Sequence, residues 1–476
     1  MRREPQAGAY LPDPRINRIA DWLADPVFSA DFPAHTLRWR NDRWAASIGL
    51  DGLPDDAWMS HFGRFEPLAD NLPQPLALRY HGHQFRNYNP NIGDGRGFLF
   101  AQMRDADGRL MDLGTKGSGQ TPYSRDGDGR LTLKGAVREI LATELLEALG
   151  VYTSKTFSVI ETGESLWRGD EPSPTRAAVL VRLSHGHIRI GSFQRLYALE
   201  ETEHLAALVD YCLETYPGNP APQDAPGRDE PAVRLLHQVV ERLADLAASW
   251  TVAGFVHGVL NTDNMNVSGE SFDYGPWRWL PRWDTRFTAA YFDSAGLYAF
   301  GRQPEALLWN CGQLAVALRS LAETAPLVAA LDRFGPLYQQ AMARRFTWRL
   351  GVRAKGAEDD LALIQAAERA MTESGESPDA FFLRHRGARH AGEDGFGVLL
   401  RTYAPTDGAD ADAADAPFWT ETEPPSLPIE EVERIWAAID QRDDWSELDA
   451  KVTVIRELGR HLGPPPVPAG HSAHST

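Results

Sequence analysis

Near residue 200 the chain changes character, and that change restricts the fold more than any other feature. From about 76 to 200 glycine is frequent and short strand-like runs recur: Gly97–Met103, Leu110–Thr115, Thr156–Glu161 and Ala177–Leu183. One helix interrupts them, Leu133 to Leu149, with Val137, Ile140, Leu141, Leu145 and Leu149 on one face and Gly150 as its stop. From 201 onward the pattern is helical. Leu205–Tyr216 is amphipathic, and Ala232–Val252 carries Val233, Leu236, Val240, Leu243 and Ala247 at helical spacing. Further helices are expected over 304–321, 326–345, 357–373 and 428–440. A small sheet with one helix, followed by a helical half, is an α+β, bilobal pattern. Residues 1–75, rich in Pro, Asp and Trp, are expected as an N-terminal extension packed on the rest of the chain, 76–200 as the first lobe, and 201–476 as the helical second lobe. The run from Thr406 to Pro417 is acidic and low in complexity, a solvated loop by composition.

Bulk composition removes several classes of function. In 476 residues, 43% apolar and 24% charged content suits a soluble globular protein with a large core. A net charge of −18 makes nucleic acid a poor partner. A site for an anionic nucleotide must then be a local basic island. Cys212 and Cys311, the only cysteines, cannot build a disulfide framework and read as buried free thiols. The first residues form no signal-like apolar region, and no run approaches membrane-spanning length. The expected location is the cytoplasm, with no membrane partner. Lysine occurs only at 116, 134, 155, 355 and 451, so each one merits scrutiny.

The sharpest chemical signal comes after the long helix: His257-Gly258-Val259-Leu260-Asn261-Thr262-Asp263-Asn264, then Asp273-Tyr274-Gly275. Phosphoryl-transfer enzymes need oxygen ligands that hold Mg²⁺ against the phosphates. A kinase takes them from a catalytic-loop Asn and the Asp of an Asp-Phe-Gly turn, and Asn264 and Asp273 have the right types in the right order. His257 precedes Asn264 by the spacing of the kinase His-Arg-Asp loop. At the place of the kinase catalytic Asp stands Val259, which can neither take a proton nor orient a hydroxyl. Asp263, directly before Asn264, is the nearby carboxylate. Alone, Asn261-Thr262-Asp263-Asn264 also reads as a simple turn.

A second signal is Lys116 at the end of a strand, with Glu139 on the next helix, the pairing that holds a kinase lysine beneath phosphates. Taken alone the two read as a surface lysine and an ordinary helix-face glutamate, and Glu144 and Glu147 compete on the same helix. A third is Gly93-Asp94-Gly95-Arg96-Gly97, whose glycines let backbone amides approach phosphates while Arg96 adds charge; hairpin turns use the same residues. Asp128-Gly129 reads first as a turn. Arg182 and Arg189 could clamp phosphate oxygens. The pairs His81/His83 and His185/His187 have a spacing that suits zinc, without a carboxylate or cysteine at ligand spacing.

Read together, Tyr80-His81-Gly82-His83-Gln84-Phe85, Gly93-Asp94-Gly95-Arg96, the run Asp112 to Arg125 (DLGTKGSGQTPYSR), Gly258 to Met265 (GVLNTDNM) and Asp273-Tyr274-Gly275-Pro276 resemble the selenoprotein O, or YdiU-like, family. The resemblance spans about 76 to 312. It implies a protein-kinase-like fold, β-rich in its first lobe and mainly helical in its second, with ATP bound in flipped orientation, the γ-phosphate buried and the α-phosphate facing the acceptor. It implies transfer of AMP to Ser, Thr or Tyr hydroxyls of proteins with release of pyrophosphate; UMP transfer from UTP is also ascribed to members. By that resemblance Lys116 contacts phosphates and pairs with Glu139. Gly93, Gly95, Arg96, Asp128 and Gly129 hold the nucleotide, and Arg182 and Arg189 grip its buried end. Asp263 is the base, and Asn264 and Asp273 hold Mg²⁺ or Mn²⁺.

The chain departs from the family in ending PPPVPAGHSAHST, without the cysteine or selenocysteine that members often carry there, and in resembling it less well over Phe287–Phe300 and beyond about 320. Two other readings stand beside nucleotidyl transfer. One is a phosphotransferase with ATP in the ordinary orientation, disfavoured by Val259 and the surplus arginines. The other is a non-catalytic nucleotide-binding scaffold, disfavoured by the intact metal ligands and carboxylate.

Overall fold

Residues 155–184 fold back on themselves because two apolar runs flank the turn-forming segment Gly169–Pro174. The computed structural model, which describes residues 5–169, 171–406, 417–420 and 423–467, builds on that hairpin. Strands β1 (Leu11–Pro12), β2 (Ala24–Pro26), β3 (Thr36–Arg40) and β4 (Leu76–Leu78) come first. The small hairpin β5 (Gly82–Gln84) and β6 (Asn87–Asn89) is next in the chain. Then come β7 (Leu99–Arg104), β8 (Leu110–Lys116), β9 (Leu131–Thr132), β10 (Lys155–Leu166) and β11 (Thr175–Ser184). Among the described residues these strands, apart from the separate hairpin β5–β6, form an antiparallel nine-stranded sheet in the order β2-β4-β7-β8-β11-β10-β3, with β1 on β7 and β9 on β11. Segments before residue 75 thus supply strands to the sheet: β3 pairs with β10 through Trp39↔Val159 and Arg40↔Ser158.

The alternation of β11 sends side chains to two different cores. Val179, Val181 and Leu183 pack with Phe157, Phe100, Trp58 and Phe62, the last two from helix α3 (Asp55–Phe62), which comes after α1 (Ala20–Leu23) and α2 (Asp42–Ser47). Leu180 and Ala178 face α4 (Leu133–Ala148), whose Val137, Ile140, Leu141 and Leu145 are fully buried. Thr132 caps α4 by accepting from the Gly135 amide. Directly opposite residues on antiparallel strands point the same way. Because Lys116 pairs with Leu180 and Gly114 with Arg182, both cations emerge on the face that carries α4.

After α5 (Ile190–Ala198) and α6 (Thr202–Thr215), α7 (Pro231–Ala253) starts on a proline, whose missing amide costs nothing at that position, and closes on Gly254 at φ 68°. The ribbon β12 (Phe255–Val256) and β13 (Arg278–Trp279) brackets the segment that carries Asp263 and Asp273. Beyond it lie helices α8 (Gln303–Leu318), α9 (Thr324–Leu331), α10 (Phe334–Leu350), α11 (Ala357–Ser374), α12 (Pro378–His385) and α13 (Gly395–Leu400), then α14 (Ile429–Arg442) and α15 (Ser446–Leu462). The single helix expected over 326–345 is two: Pro336 has no amide hydrogen to donate back to Asp332, and the chain breaks between α9 and α10. α15 returns to the sheet half, where Arg456 binds Glu144 of α4 at 2.7 and 2.8 Å. Residues 407–416 of the acidic stretch and the C-terminal 468–476 lie outside the described residues. Among the described residues no helix is long and apolar enough to cross a membrane. Cys212 and Cys311 are buried free thiols, pushed up from their ordinary pKa by that burial.

Candidate functional site

Lys116 ends β8 with its aliphatic stem buried and its ammonium between two carboxylates, 2.5 Å from Glu139 Oε1 and 2.8 Å from Asp273 Oδ1. The competition on α4 is settled by partners, since Glu144 takes Arg456 while Glu147 takes Arg43 at 2.8 Å. Glu139 alone faces the lysine. Asp273 sits at φ 63°, a left-handed conformation that Asp tolerates better than most residues and that is worth noting at a site. Its neighbour Tyr274 is buried, with its hydroxyl 2.5 Å from that of Thr153.

Lys116 and Asp273 line a cleft of about 650 Å³. Of the residues singled out from sequence, Gly93, Gly95, Arg96, Asp128, Gly129, Arg182, Arg189 and Asp263 also line it. Glu139 lies behind Lys116. Asn264 is beside the cleft rather than in its lining, with its amide nitrogen donating to Val259 O at 3.1 Å. The glycines of 93–97 serve close approach. A Cβ at Gly93 would stand 2.5 Å from the Tyr123 ring, and one at Gly97 2.1 Å from Thr115 O.

The inner wall is cationic. Arg182 and Arg189 are buried, and their guanidinium groups stack on Phe272 at 5.1 and 4.9 Å. Arg189 donates to Asp94 Oδ1 at 2.9 Å and to Asp263 O at 2.8 Å. Nε of both arginines and Nη1 of Arg182 are buried without a hydrogen-bond partner. At the outer rim Arg168 binds Asp128 at 2.8 and 3.2 Å.

Asp263 lies in the 3₁₀ turn Thr262–Asn264. Hairpin β5–β6 packs against that turn: Thr262 Oγ1 accepts from His83 N at 2.7 Å and donates to Gln194 at 2.6 Å. Gln84 reaches Asp263 Oδ2 at 3.5 Å, while Asp263 Oδ1 is buried and has no partner. Burial pushes Asp263 up to about 6, against the pull of Arg189 and with help from the negative charge of Asp273. Burial works on Asp273 as well, but there Lys116, Arg182, Arg96 and Arg189 overcome it and hold the carboxyl well below its usual range. His257 is buried behind the loop, its Nε2 3.0 Å from Phe272 O, so it braces the two motif segments against each other.

The His-x-His pairs have separate duties. His81 and His83 meet Tyr88 and Gln194, and His185 and His187 meet Tyr152 and Asp112. Among the described residues no three His, Cys, Asp or Glu side chains gather as a metal cluster. A cation held jointly by few protein oxygens and by substrate phosphates needs no such cluster. The residues present suit one: Asp273 opens to the cleft, and Asn264 spends only its side-chain nitrogen on protein. Sequence reading did not single out Asp94, Tyr123, Arg168 or Gln84. Asp94, Gln84 and Tyr123 lie inside the motifs quoted from the sequence, whereas Arg168 carried no local signal.

Known proteins are similar to this chain over most of its length. A family model described as protein adenylyltransferase SelO matches residues 10–400. A protein nucleotidyltransferase YdiU from Synechocystis sp. is 49% identical over 342 residues, covering 71% of this chain and 70% of its own length. A protein of the same name from Gloeobacter violaceus is 41% identical over 469 residues, 91% of this chain and 92% of its own. One from Pseudomonas putida is 39% identical over 374 residues, covering 78% and 74%.

Proposed function

Because this chain belongs to the SelO family and is a protein nucleotidyltransferase, we propose that it moves AMP from ATP onto Ser, Thr or Tyr hydroxyls of proteins, with ATP bound triphosphate-first. The sheet with α4 acts as the nucleotide lobe of a kinase-like arrangement, and the helices after it as the second lobe. Two buried thiols in place of disulfides are in keeping with the cytoplasm.

One observation carries the orientation: the inner wall of the cleft holds buried guanidinium N–H groups with no protein acceptor. Leaving such donors unpaired is costly, and an adenine ring, with few acceptors, cannot satisfy two arginines and a lysine. A triphosphate tail can, through bidentate charge-assisted bonds. With the β- and γ-phosphates at Arg182, Arg189 and Lys116, the α-phosphorus comes to lie toward Asp263.

The residues then divide the work. Lys116, held by Glu139, neutralises phosphate oxygens as charge shifts onto the leaving pyrophosphate. Asp263, which lines the cleft and is desolvated and raised to about 6, accepts the proton of the incoming hydroxyl on its carboxylate. The hydroxyl oxygen forms a bond to the α-phosphorus, and the bond from that phosphorus to the bridging oxygen breaks. Asp273 and Asn264 would hold Mg²⁺ or Mn²⁺, which supplies Lewis-acid neutralisation of the phosphates. Intact-mass spectrometry of an acceptor protein incubated with enzyme, Mg²⁺ and ATP tests the reading. Mass gain of one AMP per site supports it, and gain of one phosphate replaces it with an ordinary kinase.

A further inference from the structure

The loop Gly93–Gly97 contains one side chain whose contacts exceed what a phosphate-cradling loop needs. Asp94 is 7% exposed, and every polar group it has is engaged. Its amide donates to Leu78 O at 3.0 Å, and its carbonyl accepts from Thr121 Oγ1 at 2.5 Å. Its carboxylate accepts in two directions, at Oδ2 from the Leu78 amide at 3.0 Å and at Oδ1 from Arg189 Nη2 at 2.9 Å. From the same guanidinium, Nη1 donates to the Asp263 carbonyl at 2.8 Å, and the third nitrogen, Nε, is buried without a partner.

The geometry points to Asp94 as a positioning residue for nucleotidyl transfer: through the planar fork of Arg189 it ties the glycine loop to the backbone of Asp263. Asp94 touches neither reacting atom. A carboxylate strapped to the edge of β4 fixes one arm of Arg189, and the carbonyl of the base-bearing turn fixes the other. With its plane also stacked on Tyr80 and Phe272, at 4.5 and 4.9 Å, the guanidinium is held in one orientation where it lines the cleft, and the glycine loop and the Asp263 turn keep one spacing. Chemistry makes Asp specific here. An Asn offers a single acceptor oxygen, so bonding the Leu78 amide turns its own N–H₂ group toward Arg189, and bonding Arg189 sets donor against donor at Leu78. A Lys at 189 keeps the charge but cannot bridge two acceptors with a flat fork.

This inference rests on the proposed reading of the cleft as a triphosphate site, and the experiment separates the two. ATP and inorganic tripolyphosphate are titrated into the full chain by calorimetry, and AMP transfer kinetics are measured, for wild type, Asp94→Asn, Arg189→Lys and the double variant, each checked for folding by thermal melting. If wild type binds neither ligand, the cleft reading itself fails. If it binds them, Asp94→Asn is expected to lose about 10- to 100-fold in kcat/KM, with kcat falling as well as affinity, as when one partner of a buried charge pair is removed. The double variant is expected to be no worse than the weaker single variant, because both substitutions break one linkage. Asp94→Glu, which restores both acceptors, should recover part of the loss. Asp94→Asn within twofold of wild type, or a double variant that loses the product of the single effects, overturns the inference. Should Asp94→Asn not fold, Asp94→Ser, which also lacks the second acceptor oxygen, takes its place in the same cycle with the same two outcomes.

Discussion

Asp263 and Asp273 open onto one cleft yet are held in opposite protonation regimes. Burial lifts Asp263 to about 6, whereas at Asp273 the same burial is overcome by Lys116 and three arginines, which keep it ionised far below the usual carboxylate range. On the proposed reading, a pair separated in this way divides acid–base work from cation binding, because one group exchanges a proton near neutrality and the other stays ionised.

That division sets a pH dependence. A base must be deprotonated, so kcat/KM should fall tenfold per pH unit below about 6, where the free enzyme protonates, and level off above it. A pH–rate profile of AMP transfer checks this. A flat profile from pH 5 to 8 would remove Asp263 from the role of base.

The raised pKa also fixes a sign for stability. The folded state binds the Asp263 proton more tightly than the unfolded chain, so stability declines as pH rises through the interval from the ordinary carboxylate value to about 6. Asp263→Asn should therefore be more stable than wild type at pH 8, by roughly 1–3 kcal/mol, while inactive in transfer. Urea unfolding of both proteins at pH 8 and pH 4 measures it, with the difference vanishing at pH 4.

Lys116→Arg should cost about 100-fold or more in kcat/KM. A planar guanidinium cannot occupy the point between Glu139 Oε1 and Asp273 Oδ1 that the ammonium fills at 2.5 and 2.8 Å. Steady-state kinetics at saturating ATP distinguish this from a small binding defect.

Far from the cleft, Arg345 of α10 binds Asp245 of α7 at 2.5 Å and also donates to Gly150 O at 2.9 Å, just past α4. Both side chains are buried. Asp245→Ala should lower unfolding free energy by about 3–5 kcal/mol, since it strands a buried cation. Urea unfolding of the two proteins reads the loss directly. ATP affinity of the folded fraction should be unchanged.

The chemistry was more legible in the sequence than the architecture around it. Lys116, Asp263 and Asp273 stood out because strand ends and short loops place them within local motifs. The family resemblance paired Glu139 with Lys116, but the residues alone could not prefer it over Glu144 and Glu147, because Arg456 and Arg43 that claim the other two lie far away in sequence. Strand β3 escaped notice since five residues, Thr36–Arg40, show too little alternation, and its identity comes from pairing with β10. Asp94 escaped for a related reason. Flanking glycines suggest a loop, but nothing local reveals a bond to Arg189, 95 residues on.

The most direct measurement uses purified protein with Mg²⁺, an acceptor protein and ATP labelled separately at the α- and γ-phosphates. Label retained on protein from α-labelled ATP alone, and lost in Asp273→Ala, is the expected result. Label retained from γ-labelled ATP alone would contradict AMP transfer and the triphosphate-first orientation together.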